Sequence, residues 1–424
     1  MTTGLALAIG VIMIVGFLGG ALMKLTKLPR ITGYIIFGIL LSPSVLNLFG
    51  VDFLSKATID NLDIITSIAL GIIAYLIGGS LHLESIRRLG RSIAWITPFQ
   101  SLGAWLIVTL VIVFSAPLIL GIPNATFLQF YFPLAFVIGA IASATAPALT
   151  LAILHEYKAR GPLTTTLLAV VALDDAIAVI AFAIAVGVAQ PLMAGIGGVS
   201  PYQTLVVPFL RILASIGIGA AFGFALIYLA KLVKTHALLL VVVLGMIVLC
   251  VGITNTLGVS LILANMAIGF IVVNRAKRNE MFTVIEGIED VVFTVFFVLA
   301  GMNFDLYVMK IAGVLAAVLF GVRFAGKYYG TILGAKISHA SDTVKKYLGF
   351  TLVPQAGVAI GLALLAKSIF PDFPLFGSIL VNTVLASVII SEITAPPLVK
   401  YGIFKAGEQY QAVRSTPETD EPSL

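Results

Sequence analysis

The stretch Leu167-Leu-Ala-Val-Val-Ala-Leu-Asp174-Asp175-Ala-Ile-Ala-Val-Ile180 sets two adjacent acids in an otherwise unbroken apolar run. The surrounding run, from residue 162 to 189, is long enough to cross a bilayer, which takes roughly 20 mostly apolar residues in a helix. An ionisable side chain at mid-depth is costly, about 2.5–3.5 kcal/mol on insertion scales, and is functional by default. A pair of them there marks both the class of fold and the place where its chemistry happens.

The same texture extends outward over the whole chain. Of its 424 residues 60% are hydrophobic and 10% charged, and the mean hydropathy is +1.13. Soluble domains carry about 25% charged residues, so this chain lacks the charge to cover a water-facing surface. It reads as an all-α polytopic membrane protein. A net charge of +6 would suggest nucleic acid in a soluble protein. Here the basic residues sit in short clusters between apolar runs, and they read as orientation signals with no nucleic-acid partner. The one cysteine, Cys250, closes no intramolecular disulfide. The first run, Gly4 to Leu22, lacks a basic leader and reads as a retained helix, not a signal peptide.

Breaks at Gly, Pro and charged residues divide the chain into thirteen spans. They fall near 4–23, 30–49, 61–83, 92–120, 125–154, 162–189, 203–232, 236–254, 258–274, 284–303, 306–335, 344–369 and 375–402. With that count the basic clusters fall on one side. These are Lys24, Lys27 and Arg30; Arg87, Arg88 and Arg91; Lys158 and Arg160; Lys231 and Lys234; Arg275, Lys277 and Arg278; Lys336, Lys345 and Lys346; and Lys400 with Lys405. Lys56, Lys310 and Lys367 are exceptions. The positive-inside rule predicts an outside N-terminus, a cytoplasmic C-terminus and a multi-pass protein of the cell membrane. The polar tail, 405–424, is expected to be disordered.

Thirteen spans suggest two inverted six-span repeats joined by a linker span. Spans 5 and 12 then correspond. Ser143-Ala-Thr145-Ala-Pro147 and Pro354-Gln355-Ala-Gly357 each set a proline among small and polar residues in mid-span. Interrupted segments in matching positions of two halves point to a midplane ion site. Two crossing, unwound helices are expected there.

Asp174 and Asp175 cannot both stay charged in apolar surroundings without partners. A carboxylate that either takes a proton or holds a cation is what exchange requires, and oxygen ligands suit a hard alkali cation. Thr145, Ser143 and the carbonyls freed near Pro147 can supply more oxygens. Asp174 and Asp175 are metal ligands only in this sense of a transported cation. Arg323 and Lys327 lie one turn apart in span 11 and share a face. One of them is the natural counter-charge for Asp174, with snorkelling to the interface the other reading for Lys327. Arg211 in the linker span reads as structural or interfacial. Glu286, Glu289 and Asp290 open span 10. They suit a helix N-terminus, or they form an acidic funnel or pH-sensing cluster. Glu392 near Pro396 and Pro397 reads as structural, and Asn265 and Asn382 as interhelical hydrogen-bonders. His82, His155, His236 and His339 have no metal-ligand spacing, and no cofactor is expected.

These motifs together resemble the monovalent cation/proton antiporter superfamily, in particular its second family, over nearly the whole chain. The resemblance rests on Leu28-Pro-Arg-Ile-Thr-Gly33-Tyr-Ile-Ile-Phe-Gly38-Ile-Leu-Leu-Ser-Pro43, Tyr75-Leu-Ile-Gly78-Gly-Ser-Leu, Ala142-Ser-Ala-Thr-Ala-Pro147, Leu173-Asp-Asp, Phe296-Phe-Val-Leu-Ala-Gly301 and Pro354-Gln-Ala-Gly357. Their order and spacing carry it, since each alone is weak. The resemblance implies a homodimer that exchanges Na⁺, or K⁺ or Li⁺, for H⁺. Dimer-domain helices fall in 1–90 and 236–304, and an elevator-like moving core in 91–190 and 305–404, with a linker in 191–235. It implies that Asp175 is the essential cation- and proton-binding carboxylate. Asp174 then pairs with a basic residue of span 11. Arg323 matches that place best by its distance from the helix end, and Lys327 is the alternative if Gly326-Lys327 sets the register. Where many members carry an acid between the Thr and Pro of the first crossing helix, this chain has Ala146. Lysine can release a proton on leaving its aspartate and arginine cannot, so the partner bears on the proton count.

Other classes fit less well. A sodium-coupled organic-anion transporter needs a larger polar cavity, and a gated cation channel needs a soluble regulatory domain. An intramembrane aspartyl protease needs acids on two facing helices, whereas adjacent residues of one helix point about 100° apart.

Overall fold

The computed structural model describes residues 2–25, 29–50, 62–83, 90–123, 125–195, 206–276 and 280–410. Lys27, Lys56, Arg87, Arg88, Lys277, Arg278, the first residues of the linker span and 411–424 lie outside them, as do Leu28 and the side chain of Lys24.

Among the described residues the chain is all helical, and each of the thirteen expected spans is met by a helix or by two helices with a break. The first three spans are α1 (Thr2–Leu25), α2 (Arg30–Leu40) with the short α3 (Pro43–Leu46), and α4 (Asp63–Ser80). α5 (Arg91–Leu120) follows. Span 5 is broken into α6 (Phe132–Ala142) and α7 (Pro147–Glu156), and span 6 is α8 (Pro162–Met193). Then come α9 (Val207–Ala230), α10 (His236–Leu257), α11 (Leu261–Arg275), α12 (Glu280–Met302) and α13 (Leu306–Ile337). Span 12 is broken into α14 (Asp342–Thr351) and α15 (Gly357–Ile369), and α16 (Pro374–Ala406) closes the series. Eight of these helices are long and apolar enough to cross a membrane unaided, nine if α2 and α3, bent by 51°, count as one. The breaks shorten the helices of spans 5 and 12, which is why length alone misses those crossings.

Lipid accounts for the surface. Leu106, Leu110, Phe114 and Leu118 recur every four residues on one face of α5 and are 61–88% exposed. That face has no water-soluble rationale and an immediate one in hydrocarbon. Toward the interior, α5 meets α13 backbone to backbone. Gly326, Gly330 and Gly334 make this approach available. A Cβ on Gly330 would stand 2.4 Å from the Phe99 carbonyl oxygen, and one on Gly334 2.7 Å from the Ile96 Cα. Small residues let membrane helices approach closely, and this contact brings Lys327 of α13 onto Gln100 of α5.

One expectation is corrected. Residues 405–410 do not begin a disordered tail. α16 runs to Ala406, and Glu408, 4% exposed, folds back onto the start of α8. Its carboxylate accepts from the Leu163 and Thr164 amides, at 2.7 and 2.8 Å, and from the Thr164 hydroxyl at 2.8 Å. The first amides of a helix have no partner within it, and a buried α8 terminus draws one from the far end of the chain. Gly161 leaves the room: a Cβ there would lie 2.3 Å from the Glu408 carboxyl carbon.

Candidate functional site

The site is built where the two broken spans cross. α6 stops at Ala142 and α7 starts at Pro147; α14 stops at Thr351 and α15 starts at Gly357. The Ala146 amide donates to the Pro354 carbonyl at 2.9 Å, and Gln355 Nε2 to the Ile141 carbonyl at 3.2 Å, so the two unwound segments are joined to each other. Two helix C-termini therefore point into one buried place. Each carries the equivalent of about −0.5 charge and orphaned carbonyls. Arg323, 1% exposed, answers both. Its guanidinium donates to the carbonyls of Ala142 (2.9 Å), Ala144 (2.7 Å) and Val353 (2.7 Å), with Pro354 at 3.4 Å.

Lys327, one turn along α13, takes the acid. Its ammonium lies 2.8 Å from Asp174 Oδ2, with the two side chains 1% and 0% exposed. It also donates to Gln100 Oε1 (2.8 Å), the Ser143 carbonyl (2.6 Å) and Thr145 Oγ1 (2.7 Å). The Asp174 carboxylate is saturated. Gln100 Nε2 donates to its Oδ1 at 2.6 Å, the Ser101 hydroxyl donates to the same oxygen, and the Thr145 hydroxyl donates to Oδ2. A buried ion pair is tolerated only when its remaining lone pairs and protons are also satisfied, and here they are.

Asp175 has the opposite environment. Being the next residue on α8, it points away from that network. Its Oδ1 is buried with no hydrogen-bond partner. The carboxylate faces a cavity of about 490 Å³ that also takes in Thr145, Thr150, Gly357 and Glu289. The two acids thus divide their work: one is closed off with a fixed counter-charge, the other lies at the cavity wall with one oxygen left without a partner.

A family model described as "Sodium/hydrogen exchanger, transmembrane" matches residues 10–401. The chain belongs to the sodium/hydrogen exchanger family. The Na(+)/H(+) antiporter NhaS4 of Synechocystis sp. is 24% identical over 413 residues, covering 93% of this chain and 98% of that relative. The sodium proton antiporter MjNhaP1 from Methanocaldococcus jannaschii, in its structure at pH 8, has the same fold. It aligns with a TM-score of 0.74 at 17% identity over 95% of this chain and 98% of that one. An electron-microscopy structure of the same antiporter aligns with a TM-score of 0.67 at 18% identity, over 94% and 96%. The exchanger is therefore a multi-pass membrane transporter of the monovalent cation/proton antiporter superfamily, and its activity class is cation/proton antiport.

Against the exchanger's geometry the expected site residues separate. Asp174, Asp175, Thr145 and the crossing segments come together. Of the two basic candidates, Lys327 pairs with Asp174, while Arg323 is spent on backbone carbonyls. The Ser143 hydroxyl is turned away, donating to the Ala140 carbonyl at 2.6 Å, and only its backbone oxygen faces Lys327. The three acids of α12 disperse. Glu289 lines the Asp175 cavity, and Glu286 joins it around an adjoining opening of about 370 Å³. Asp290 faces Arg30 at 3.8 Å on another side of the helix. Glu392, 2% exposed, accepts from the Thr32 hydroxyl at 3.3 Å. Asn265 and Asn382 each bond a carbonyl one turn back in their own helices, and Asn382 also takes the Asp305 amide at 2.9 Å. Gln100 and Ser101 were not anticipated. Their signal was present, as two adjacent amide and hydroxyl side chains in the middle of a membrane span.

Proposed function

We propose that the exchanger moves sodium against protons through alternate occupation of Asp175. The observation that carries this is the contrast between the two acids: Asp174 has a partner on every side, and Asp175, at the wall of a cavity, has a buried oxygen with no hydrogen-bond partner. A proton or a sodium ion can complete that oxygen, and each excludes the other. Thr145 and the carbonyls around the crossing are the nearest further oxygens for a hard cation. Potassium or lithium would meet the same ligands, and the choice among them belongs to transport assays.

Asp174 and Lys327 act as the fixed pair beside the exchanging site. When a cation on Asp175 draws on Asp174 or Thr145, Lys327 loses part of its coordination, and a lysine can then give up its proton. That favours two protons per sodium and an electrogenic cycle. In the fuller reading, residues 91–190 and 305–404 form a core that slides as an elevator against a scaffold of 1–90 and 236–304, with 191–235 as linker and the scaffold as homodimer contact. The basic clusters support a cytoplasmic C-terminus in the cell membrane, and the Asp175 cavity reaches Ser80 at the end of α4 and Glu289 near the start of α12, the helix ends that the sequence joins to the basic stretches 87–91 and 275–278, so it faces inward.

Proteoliposomes with an internal pH dye and a clamped membrane potential test this. Sodium addition is expected to move protons, faster with the potential favouring net charge transfer. Asp175→Asn is expected to abolish the signal while the protein still reconstitutes, and wild-type exchange by that variant would refute the role of Asp175.

A further inference from the structure

A second cavity, of about 440 Å³, lies at the other end of the same helices. α8 shows the relation. Leu168, Ala172 and Asp175 line the first cavity, and Phe182, Val186 and Gln190 line the second. At 100° per residue, offsets of −7, −3, +7 and +11 from Asp175 all return close to its face of the helix. The stripe that carries the acid therefore runs on into the second cavity, about 10 Å further along. α4 and α15 repeat the pattern. Ile73 and Ala359 belong to the first cavity, Ser67 and Leu365 to the second. Between the two stand Leu70, Val179 and Leu362, all at most 4% exposed. Packing there is tight, since a Cβ on Gly361 would lie 2.4 Å from the Leu70 side chain. With Asp175 in the first cavity and this packed layer between it and the second, the first is the half open to the acid and the second the half closed to it.

Their charges are opposite. The open half is bordered by Glu286 and Glu289. Among the described residues the closed half is lined by no carboxylate, and the one formal charge on its lining is Arg211. Arg211 is held over the cavity by Gln190, whose Oε1 accepts from Nη1 at 2.8 Å. The part of this wall built by the end of α8 and by α9–α11 carries no acid, since no Asp or Glu lies between Asp175 and Glu280. Asp63 stands one turn beyond Ser67 on α4 and does not line the cavity.

We infer that Arg211 is a guard charge at the far mouth of the ion path, which repels sodium arriving from that side and raises the sodium concentration needed there. A guanidinium held at the mouth of a vestibule lowers the local cation concentration, as acids at the other mouth raise it. The exchanger is thereby biased to pick up sodium at the acid-lined end and to lose it at the Arg211 end. The inference rests on the antiport reading.

Right-side-out and everted membrane vesicles carrying the full-length protein separate the two faces. The quantity read is the sodium concentration for half-maximal proton movement, with sodium offered on one face at a time. Wild type is expected to need more sodium on the Arg211 face. Arg211→Gln is expected to lower that requirement by about twofold to fourfold, the size of one charge roughly 22 Å from Asp175, the rise of α8 to Gln190, at an effective dielectric of 20–40. The value on the other face is expected to stay unchanged, and the difference shrinks at high ionic strength. Arg211→Lys, which keeps the charge, is expected to retain the asymmetry. An equal change on both faces, or none on either, would overturn the guard role. If the wild type exchanged no sodium for protons on either face, the antiport reading itself would fall.

Discussion

At the residue scale the decisive contrast is between two neighbours, Asp174 and Asp175. Removing the partner of a buried charge is expensive, and Lys327→Met is expected to cost about 3–5 kcal/mol for that reason. Thermal unfolding in detergent reads this as a lowered midpoint, and Asp174→Asn with Lys327→Met is expected to recover most of the loss. No such recovery would mean that Lys327 stabilises something other than Asp174. At Asp175, proton and sodium compete for one oxygen. Raising the pH removes the proton, so the sodium needed for half-maximal exchange should fall by about tenfold per pH unit while the carboxyl is protonated at rest. A requirement that does not move with pH would separate the proton site from the sodium site. The acid pair was legible in the sequence because a charge in an apolar run has few bland explanations. The choice between Arg323 and Lys327 was not legible. They share a face and differ by one turn, and only the path of two distant backbone breaks decides which meets carbonyls and which meets the carboxylate. Gln100 and Ser101 stayed hidden because uncharged polar residues are inexpensive enough in a membrane helix to carry no strong signal.

At the element scale, a few contacts set where the chemistry stands. The breaks in α6–α7 and α14–α15 were readable from proline among small residues. Their crossing was not, because it depends on one amide of Ala146 meeting one carbonyl of Pro354 across 208 positions of chain. The spacing of Gly326, Gly330 and Gly334 was likewise present in the sequence, and its meaning appears only once α5 is known to lie against it. Glu408 is the least readable of these features, since a capping side chain is ordinarily sought beside its helix. Glu408→Ala is expected to destabilise by about 0.5–2 kcal/mol, the usual worth of a helix cap. Hydrogen exchange should show the Leu163 and Thr164 amides losing protection first. Unchanged protection of those two amides would mean that the carboxylate contributes nothing to holding the helix start.

At the scale of the whole molecule, the succession of apolar spans was enough to give an all-helical membrane protein, because lipid leaves the chain few other solutions. What hydropathy does not contain is the division into parts that move. Leu70 of α4 and Gly361 of α15 meet tightly across the proposed boundary between scaffold and core. A Leu70→Cys, Gly361→Cys pair, in a chain whose one native thiol, Cys250, is buried, is expected to arrest exchange on oxidation and to release it on reduction. Full exchange in the oxidised state, with the cross-link verified by mass, would rule out sliding at that contact.

The Glu408 contact also has a consequence in time. The start of α8 and the carboxylate that completes it lie 245 positions apart. At a synthesis rate of roughly 5–20 residues per second, that separation is about 12–50 s. During this interval the helix bearing the acid pair already sits in the bilayer with its first amides open. It is finished only once residue 408 has been made. The order of synthesis therefore acts as a checkpoint: a ribosome that stalls before codon 408 leaves an exchanger whose ion helix has never been closed.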